Sequence, residues 1–143
     1  FEKKPQEKYS LKFLPDAFND VFGIKNDTLN YSFSTKEIDD YGRITMNINN
    51  VNNKNLIIEL LSGSKQDELV ESQLIYTSTK VVFDLLEPKK YTIRAIVDEN
   101  KNNKWDTGSY LQKRLAERII YSEAINNTGL RANYFLEESF TID

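Results

Sequence analysis

The alternation of apolar and polar side chains at every second residue most constrains how this chain folds. In the segment 43–51, for example, Ile44, Met46 and Ile48 alternate with polar residues. Because successive side chains of a strand point to opposite faces, this period indicates half-buried strands. The same pattern, or a short apolar run, occurs in residues 9–14, 28–34, 55–61, 68–76, 80–85, 91–97, 118–125 and 132–142. This regular spacing predicts an all-β fold, an antiparallel β-sandwich of about 7–9 strands.

Helix-forming sequence is scarce. The best candidate is PDAFNDVFG, Pro15–Gly23, in which Phe18, Val21 and Phe22 share one helical face and Gly23 stands where a helix ends. We therefore expect one short helical turn and no change of fold class. A length of 143 residues fits one domain, with a charged linker over residues 1–8 and a single β-sandwich domain over residues 9–143.

Composition excludes several functions. The net charge is -3, from 19 basic and 22 acidic residues, and no basic run is long enough to follow a phosphate backbone, so nucleic acid is not an expected partner. The chain has no histidine and no cysteine, which excludes Ser-His-Asp and Cys-His catalysis and zinc sites built on those ligands. Apolar runs fall short of the roughly 20 residues that a membrane-spanning helix needs.

Carboxylates are the remaining catalytic candidates. Asp39, Asp40, Glu137 and Glu138 could supply the pair that a glycosidase uses. Solvated surface carboxylates are the ordinary alternative, because acidic residues are abundant and mostly exposed in folded proteins. The sequence therefore favours a protein that is not an enzyme.

The segment DENKNNKWDTG, Asp98–Gly108, carries the most distinctive chemistry. Oxygen-bearing groups recur at every second position, as they do in calcium loops: the side chains of Asp98, Asn100, Asn102 and Asp106, and the backbone carbonyl of Lys104. The position where calcium loops usually have a bidentate Glu is Ser109, so a further ligand would come from Glu117 or from water. In the alternative interpretation, the same Asp and Asn side chains bond to backbone N–H groups and form turns without a metal.

Two aromatic residues in and after this segment suggest a ligand platform. Trp105 and Tyr110 could stack on the face of a carbohydrate. Alternatively, Trp105 folds back over the sandwich edge, with its indole N–H bonded to a loop carbonyl. Arg94 lies opposite the apolar face of its predicted strand and is expected to pair with an acid.

Three sequence segments resemble segments of a known protein family. LLEPKKYTIRAIVDENKNNKWDTGSYL, residues 85–111, resembles a recurring segment of Bacteroidota envelope proteins, usually lipoproteins, that combine a bacterial Ig-like domain with a further β-sandwich. RANYFLEE, residues 131–138, stands where that family has a phrase like RANWDLEE, and DAFNDVFGIKNDT, residues 16–28, is similar to its start. Glycine is common in the family at the positions of Lys101 and Asn103, and tryptophan at Tyr134.

The resemblance covers most of the chain from Leu14 onward, and LEPKKYTIRAIVDEN is also similar to transthyretin-like and carboxypeptidase-regulatory modules. It implies a non-catalytic interaction or scaffolding module of an exported lipoprotein in the cell envelope, in the periplasm or at the outer-membrane surface. Another envelope protein is then the expected partner, with a glycan as the alternative. Contact with a membrane would come only through an anchor outside this segment. The candidate cofactor is the Ca²⁺ suggested by the oxygen spacing of Asp98–Asp106, with the metal-free turn as the alternative and otherwise no cofactor.

Overall fold

The computed structural model describes residues 4–63, 65 and 67–143, and the all-β prediction is confirmed. Within these residues the chain forms ten strands and one 3-10 turn, Ile38–Asp40. The strands are β1 (Lys8–Phe13), β2 (Leu29–Ser34), β3 (Gly42–Asn49), β4 (Leu56–Ser62), β5 (Glu68–Ile75), β6 (Thr79–Leu86), β7 (Lys90–Val97), β8 (Ile119–Tyr121), β9 (Thr128–Gly129) and β10 (Phe135–Thr141). They belong to two compact units, Phe1–Ile38 and Asp39–Asp143, where the sequence led us to expect a single domain over residues 9–143.

The first unit is built on the antiparallel hairpin of β1 and β2. Lys8 pairs with Ser34 and Phe13 with Leu29, so the strands match along their whole length. Pairing extends into the predicted linker, because the N–H of Gln6 donates to the carbonyl of Lys36 at 3.0 Å. Residues 1–3 of that linker lie outside the described residues.

The predicted helix at Pro15–Gly23 is wrong. The segment forms turns and an isolated bridge between Asn19 and Lys25. The carboxylate of Asp20 accepts the N–H groups of Phe22 and Ile24 at 2.8 and 2.9 Å. Side-chain bonds of this kind offer the backbone an alternative to helical hydrogen bonds, and here they outweigh the apolar spacing that favoured a helix.

The second unit contains two sheets. A three-stranded sheet has the order β10-β3-β6, and a larger sheet has the order β5-β4-β7-β8, with β9 pairing with β7. The β3–β6 pair and the pairs in the larger sheet are antiparallel, as predicted, whereas β10 runs parallel to β3.

The inward faces of the two sheets share one core. Ile44 and Phe83 from the smaller sheet and Ile58 and Ile93 from the larger sheet are each at most 1% exposed and belong to a single cluster. The unit is therefore a β-sandwich. No helix among the described residues is long and apolar enough to cross a membrane.

Candidate functional site

The loop between β7 and β8 contains the predicted ligands, and Asp98 is its buried anchor. Asp98 directly follows β7 and is only 2% exposed. Its N–H donates to the carbonyl of Asn55 at 3.0 Å. Its carboxylate oxygens accept the N–H groups of Asn102 at 3.2 Å and Asn103 at 2.9 Å. These bonds compensate for removing the carboxylate from water and fix the turn that follows.

Asn100, Asn102 and Asp106 continue the same network. The side-chain oxygen of Asn100 accepts the N–H of Asn102 at 3.0 Å, and that of Asn102 accepts the N–H of Lys104 at 2.9 Å. Both amide groups donate to Oδ2 of Asp106, the one from Asn102 at 2.6 Å. The structure thus brings together the four predicted side-chain ligands, and it shows the turn-forming bonds of the alternative interpretation.

Glu117 ties this loop to the chain that leads into β8. The side chain is 9% exposed, and its oxygens accept the N–H groups of Glu99 and Asp106, both at 3.0 Å. Sequence reasoning identified Glu117 only as a further metal ligand. Its structural role depends on chain geometry across residues 99–117, which no local pattern reveals.

The chemistry of the loop partly suits a hard cation. Asp98 and Asp106 supply carboxylates, and the amide oxygens of Asn100 and Asn102 keep a second lone pair after accepting one N–H. Among the described residues, no group of three or more His, Cys, Asp or Glu side chains is placed to hold a metal ion. A cation here would therefore depend on two carboxylates, amide and carbonyl oxygens, and water.

Trp105 and Tyr110 occupy different settings. The indole N–H of Trp105 donates to the carbonyl of Glu117 at 3.1 Å, a bond to a loop carbonyl of the kind predicted, and the residue is 45% exposed. Tyr110 is almost fully exposed on a turn closed by two backbone bonds between Ser109 and Arg114. Within the described part of the chain, no ring contact joins the two residues.

Two of the charged residues singled out from the sequence, Arg94 and Glu137, form ion pairs. Arg94 pairs with Glu59 at 2.6 Å, which confirms the predicted acidic partner. Glu137 on β10 accepts bonds from Lys80 at 2.8 Å and from Asn47 at 3.1 Å, and these bonds hold the pKa of Glu137 below its usual range.

Arg43 and Asp84 form another ion pair, on the outer face of the smaller sheet that also carries Glu137. Arg43 donates to Asp84 at 2.5 Å and also lies over the ring of Phe135, 5.5 Å from its centroid. The hydrogen bond from Arg43 lowers the pKa of Asp84, with a smaller opposing effect from burial.

Sequence reasoning assigned no role to the apolar face of the β1–β2 hairpin. Three register pairs, Tyr9–Phe33, Leu11–Tyr31 and Phe13–Leu29, place six apolar or aromatic side chains on one face. The rings of Tyr9 and Phe33 stack at 5.4 Å. Leu11 and Tyr31 are nevertheless 50% and 57% exposed. The alternating pattern predicted the shared face but could not show that it would remain open. We call these six residues the hairpin face.

Comparisons with known proteins give no match. No family model matches the sequence. No curated protein matches it, and no solved structure matches the fold.

Proposed function

We propose that this chain is a non-catalytic interaction or scaffolding module of an exported cell-envelope lipoprotein. The observation that carries the proposal is the exposed hairpin face. A two-stranded sheet is at best marginally stable alone in water, and contiguous exposed apolar surface commonly marks a site of protein association. The expected partner is another envelope protein that covers the hairpin face with apolar surface of its own.

The sequence resemblance supports the cellular setting, in the periplasm or at the outer-membrane surface. Lys101 and Asn103 stand at positions where the Bacteroidota family commonly has glycine. Their φ angles are 62° and 63°. Glycine adopts this left-handed conformation without strain, so the backbone at these two positions suits the glycines of the family's sequences even though the side chains differ.

The absence of histidine and cysteine supports a non-catalytic function. Of the carboxylates considered for glycosidase chemistry, Glu137 is paired with Lys80, which favours an ion-pair role on the sheet surface. Asp39 is exposed on the 3-10 turn Ile38–Asp40, the ordinary setting of a surface carboxylate, and Asp40 lies on the same turn.

The loop from Asp98 to Asp106 is proposed as a structural calcium loop within this module. Bound Ca²⁺ would replace the two amide N–H bonds to Asp106 and connect it with Asp98, Asn100, Asn102 and the carbonyl of Lys104. With two carboxylates the affinity is modest, and the role is to strengthen the β7–β8 connection.

The interaction proposal is tested by affinity isolation from a Bacteroidota envelope extract. The test variant carries Leu11→Thr and Tyr31→Thr, which remove one register pair from the hairpin face. The control carries Ser10→Thr and Ser32→Thr, the neighbouring register pair on the polar face. Threonine suits strands in both variants. We expect one partner that the wild type and the control retain and the test variant loses. An identical set of proteins from all three chains would overturn the proposal.

A carbohydrate-binding function is the second candidate, and the setting of Trp105 favours it. The ring is fixed by its bond to Glu117 and still exposes nearly half of its surface, as a stacking platform requires. Glycan-array binding that is lost in Trp105→Ala and reduced in Tyr110→Ala would support this function. Silence on the array, or unchanged binding by Trp105→Ala, would reject it.

A further inference from the structure

An open cleft lies between the edge strands β8 and β10 of the second unit. Its volume is about 620 Å³, within the range of ligand-binding clefts. β8 is the last strand of the larger sheet and β10 is an edge of the smaller one, so the cleft lies between two sheet edges. Its lining residues are Ile120, Tyr121, Ser122, Glu123, Ala124, Ser139, Phe140, Thr141 and Asp143.

The backbone of β10 presents hydrogen-bonding groups to this open edge. The carbonyl of Tyr134 accepts a bond from Arg43, and the N–H of Ile142 donates to Asn49. Backbone groups of successive strand residues point to alternate edges, so the even-numbered residues from 134 to 142 face β3. Ser139 and Thr141 therefore direct their N–H and C=O groups away from β3. In the described part of the chain, no strand pairs with this edge.

On the opposite side of the sandwich, the outer edge of β6 is already partly bonded. There β5 and β6 are joined by the short connection 76–78. The side-chain amide of Gln73 on β5 donates to the carbonyl of Val82 on β6 at 2.8 Å. That bond occupies an edge acceptor of β6, whereas the β10 edge retains groups that can bond to an incoming strand.

The charge of the cleft indicates what kind of strand it would accept. Glu123 and Asp143 line it, and no lining residue carries a basic side chain. The guanidinium of nearby Arg118 donates to the backbone carbonyl of Asp143. The exposed hydroxyl groups of Ser139 and Thr141 complete a polar, acidic surface that complements Lys or Arg side chains.

We propose that the β8–β10 cleft binds a basic, extended segment of a partner protein, which adds as a strand to the free edge of β10. The segment's main chain bonds to Ser139 and Thr141, and a Lys or Arg side chain faces Glu123 and Asp143. The edge groups from Phe135 to Thr141 span about 20 Å, enough for a segment of about seven residues. This inference rests on the proposed interaction function and adds to it a site separate from the hairpin face.

Amide hydrogen exchange with synthetic peptides tests the inference on the unaltered chain. The probe is an acetylated peptide of about seven residues in which Lys alternates with Val. One control replaces each Lys with Glu, and a second carries N-methyl groups on the residues that would face β10. We expect the Lys peptide to protect the amides of Ser139 and Thr141 by about tenfold, and both controls to lose most of this protection.

Protein variants provide the reciprocal control. Ser139→Pro removes an outward N–H and no bond to β3, and proline is tolerated at such edge positions. Glu123→Gln with Asp143→Asn removes the two side-chain negative charges, and Glu99→Gln is the matched exposed control. We expect the Lys peptide to bind about tenfold more weakly to the first two variants and unchanged to the third.

Several outcomes would overturn the inference. They are no protection by the Lys peptide, equal protection by the N-methylated peptide, or equal protection by the Glu peptide. Slower hydrogen exchange of the Tyr121 and Ser122 amides with an oligosaccharide, and no change with any peptide, would assign the cleft to a glycan instead. If Ser139→Pro does not fold, the N-methylated peptide still tests main-chain bonding to β10 on the unaltered chain. The Leu11→Thr/Tyr31→Thr variant should bind the peptide normally, which separates failure of this site from failure of the hairpin face.

Discussion

Asp106 and Glu117 are bonded to each other twice. The N–H of Asp106 donates to Oε2 of Glu117 at 3.0 Å, and the N–H of Glu117 donates to the carbonyl of Asp106 at 3.1 Å. The other carboxylate oxygen of Glu117 accepts the N–H of Glu99. One buried side chain therefore fixes both ends of the loop that follows β7.

Replacing Glu117 should destabilise the second unit. Glu117→Ala leaves the N–H groups of Glu99 and Asp106 without their acceptors, and we expect a loss of about 1–3 kcal/mol in the free energy of unfolding. Glu117→Gln keeps one acceptor oxygen and should lose less. Urea denaturation measures both, with the exposed Glu99→Ala as control. Equal stabilities of Glu117→Ala and Glu99→Ala would show that Glu117 does not hold the loop.

Gly108 should not tolerate a side chain. A Cβ there would lie 2.9 Å from both the N of Ala116 and the O of Arg114, which are backbone atoms that cannot turn aside. We expect Gly108→Ala to lower the free energy of unfolding by about 1–3 kcal/mol, the usual range for overpacking. At Gly129 a Cβ meets nothing within 4 Å, so Gly129→Ala is the matched control. Thermal unfolding compares the two, and a neutral Gly108→Ala would contradict the close backbone approach.

Local patterns account for much of the fold. The alternation around Met46 predicted β3, since the period of two depends only on which face is buried. The Asp and Asn spacing after Val97 predicted the turn bonds, because these partners lie within a few residues of each other. The cation site indicated by the same spacing stays a prediction. The helix predicted at Pro15–Gly23 was wrong, because the side-chain bonds of Asp20 to backbone N–H groups outweigh the helical spacing of the apolar residues.

Features that depend on distant pairing could not be predicted. The parallel pairing of β10 with β3 joins residues about ninety positions apart, and strand alternation is the same in parallel and antiparallel pairs. The placement of Glu117 against Asp106 depends on the path of the intervening turn. The exposure of Tyr31 depends on what covers its face, which a period of two cannot reveal.

Acid should weaken the ion pair of Arg43 and Asp84. Because the folded-state pKa of Asp84 is lowered, the pair contributes stability above the unfolded pKa, about 3.9, and this contribution is lost as the pH falls through the folded pKa. Asp84→Asn should therefore be less stable than wild type at neutral pH, with a difference that shrinks below about pH 4.

Urea denaturation across this pH range measures the effect on Asp84. Asp39→Asn, on the exposed 3-10 turn, controls for the change of charge. A stability difference for Asp84→Asn that stays constant from neutral pH to strong acid would contradict the assigned role of the pair.

Calcium should stabilise the second unit through the loop. Titration calorimetry of chelator-treated protein should show saturable binding, and thermal unfolding should shift to higher temperature with added Ca²⁺. Asp98→Ala with Asp106→Ala should abolish both effects. If calcium gives no heat and no shift, while the double variant is less stable than wild type, the loop is held by its side-chain turns alone.

Site-specific photocrosslinking tests the proposed interaction function most directly. Benzoylphenylalanine at Tyr31 places the probe on the hairpin face, and the same group at Ser32 places it on the polar face one residue away. In Bacteroidota envelope extract, we expect one discrete adduct from position 31 that is absent from position 32. Identical adduct patterns from both positions, or none from either, would contradict the claim that the hairpin face binds an envelope partner.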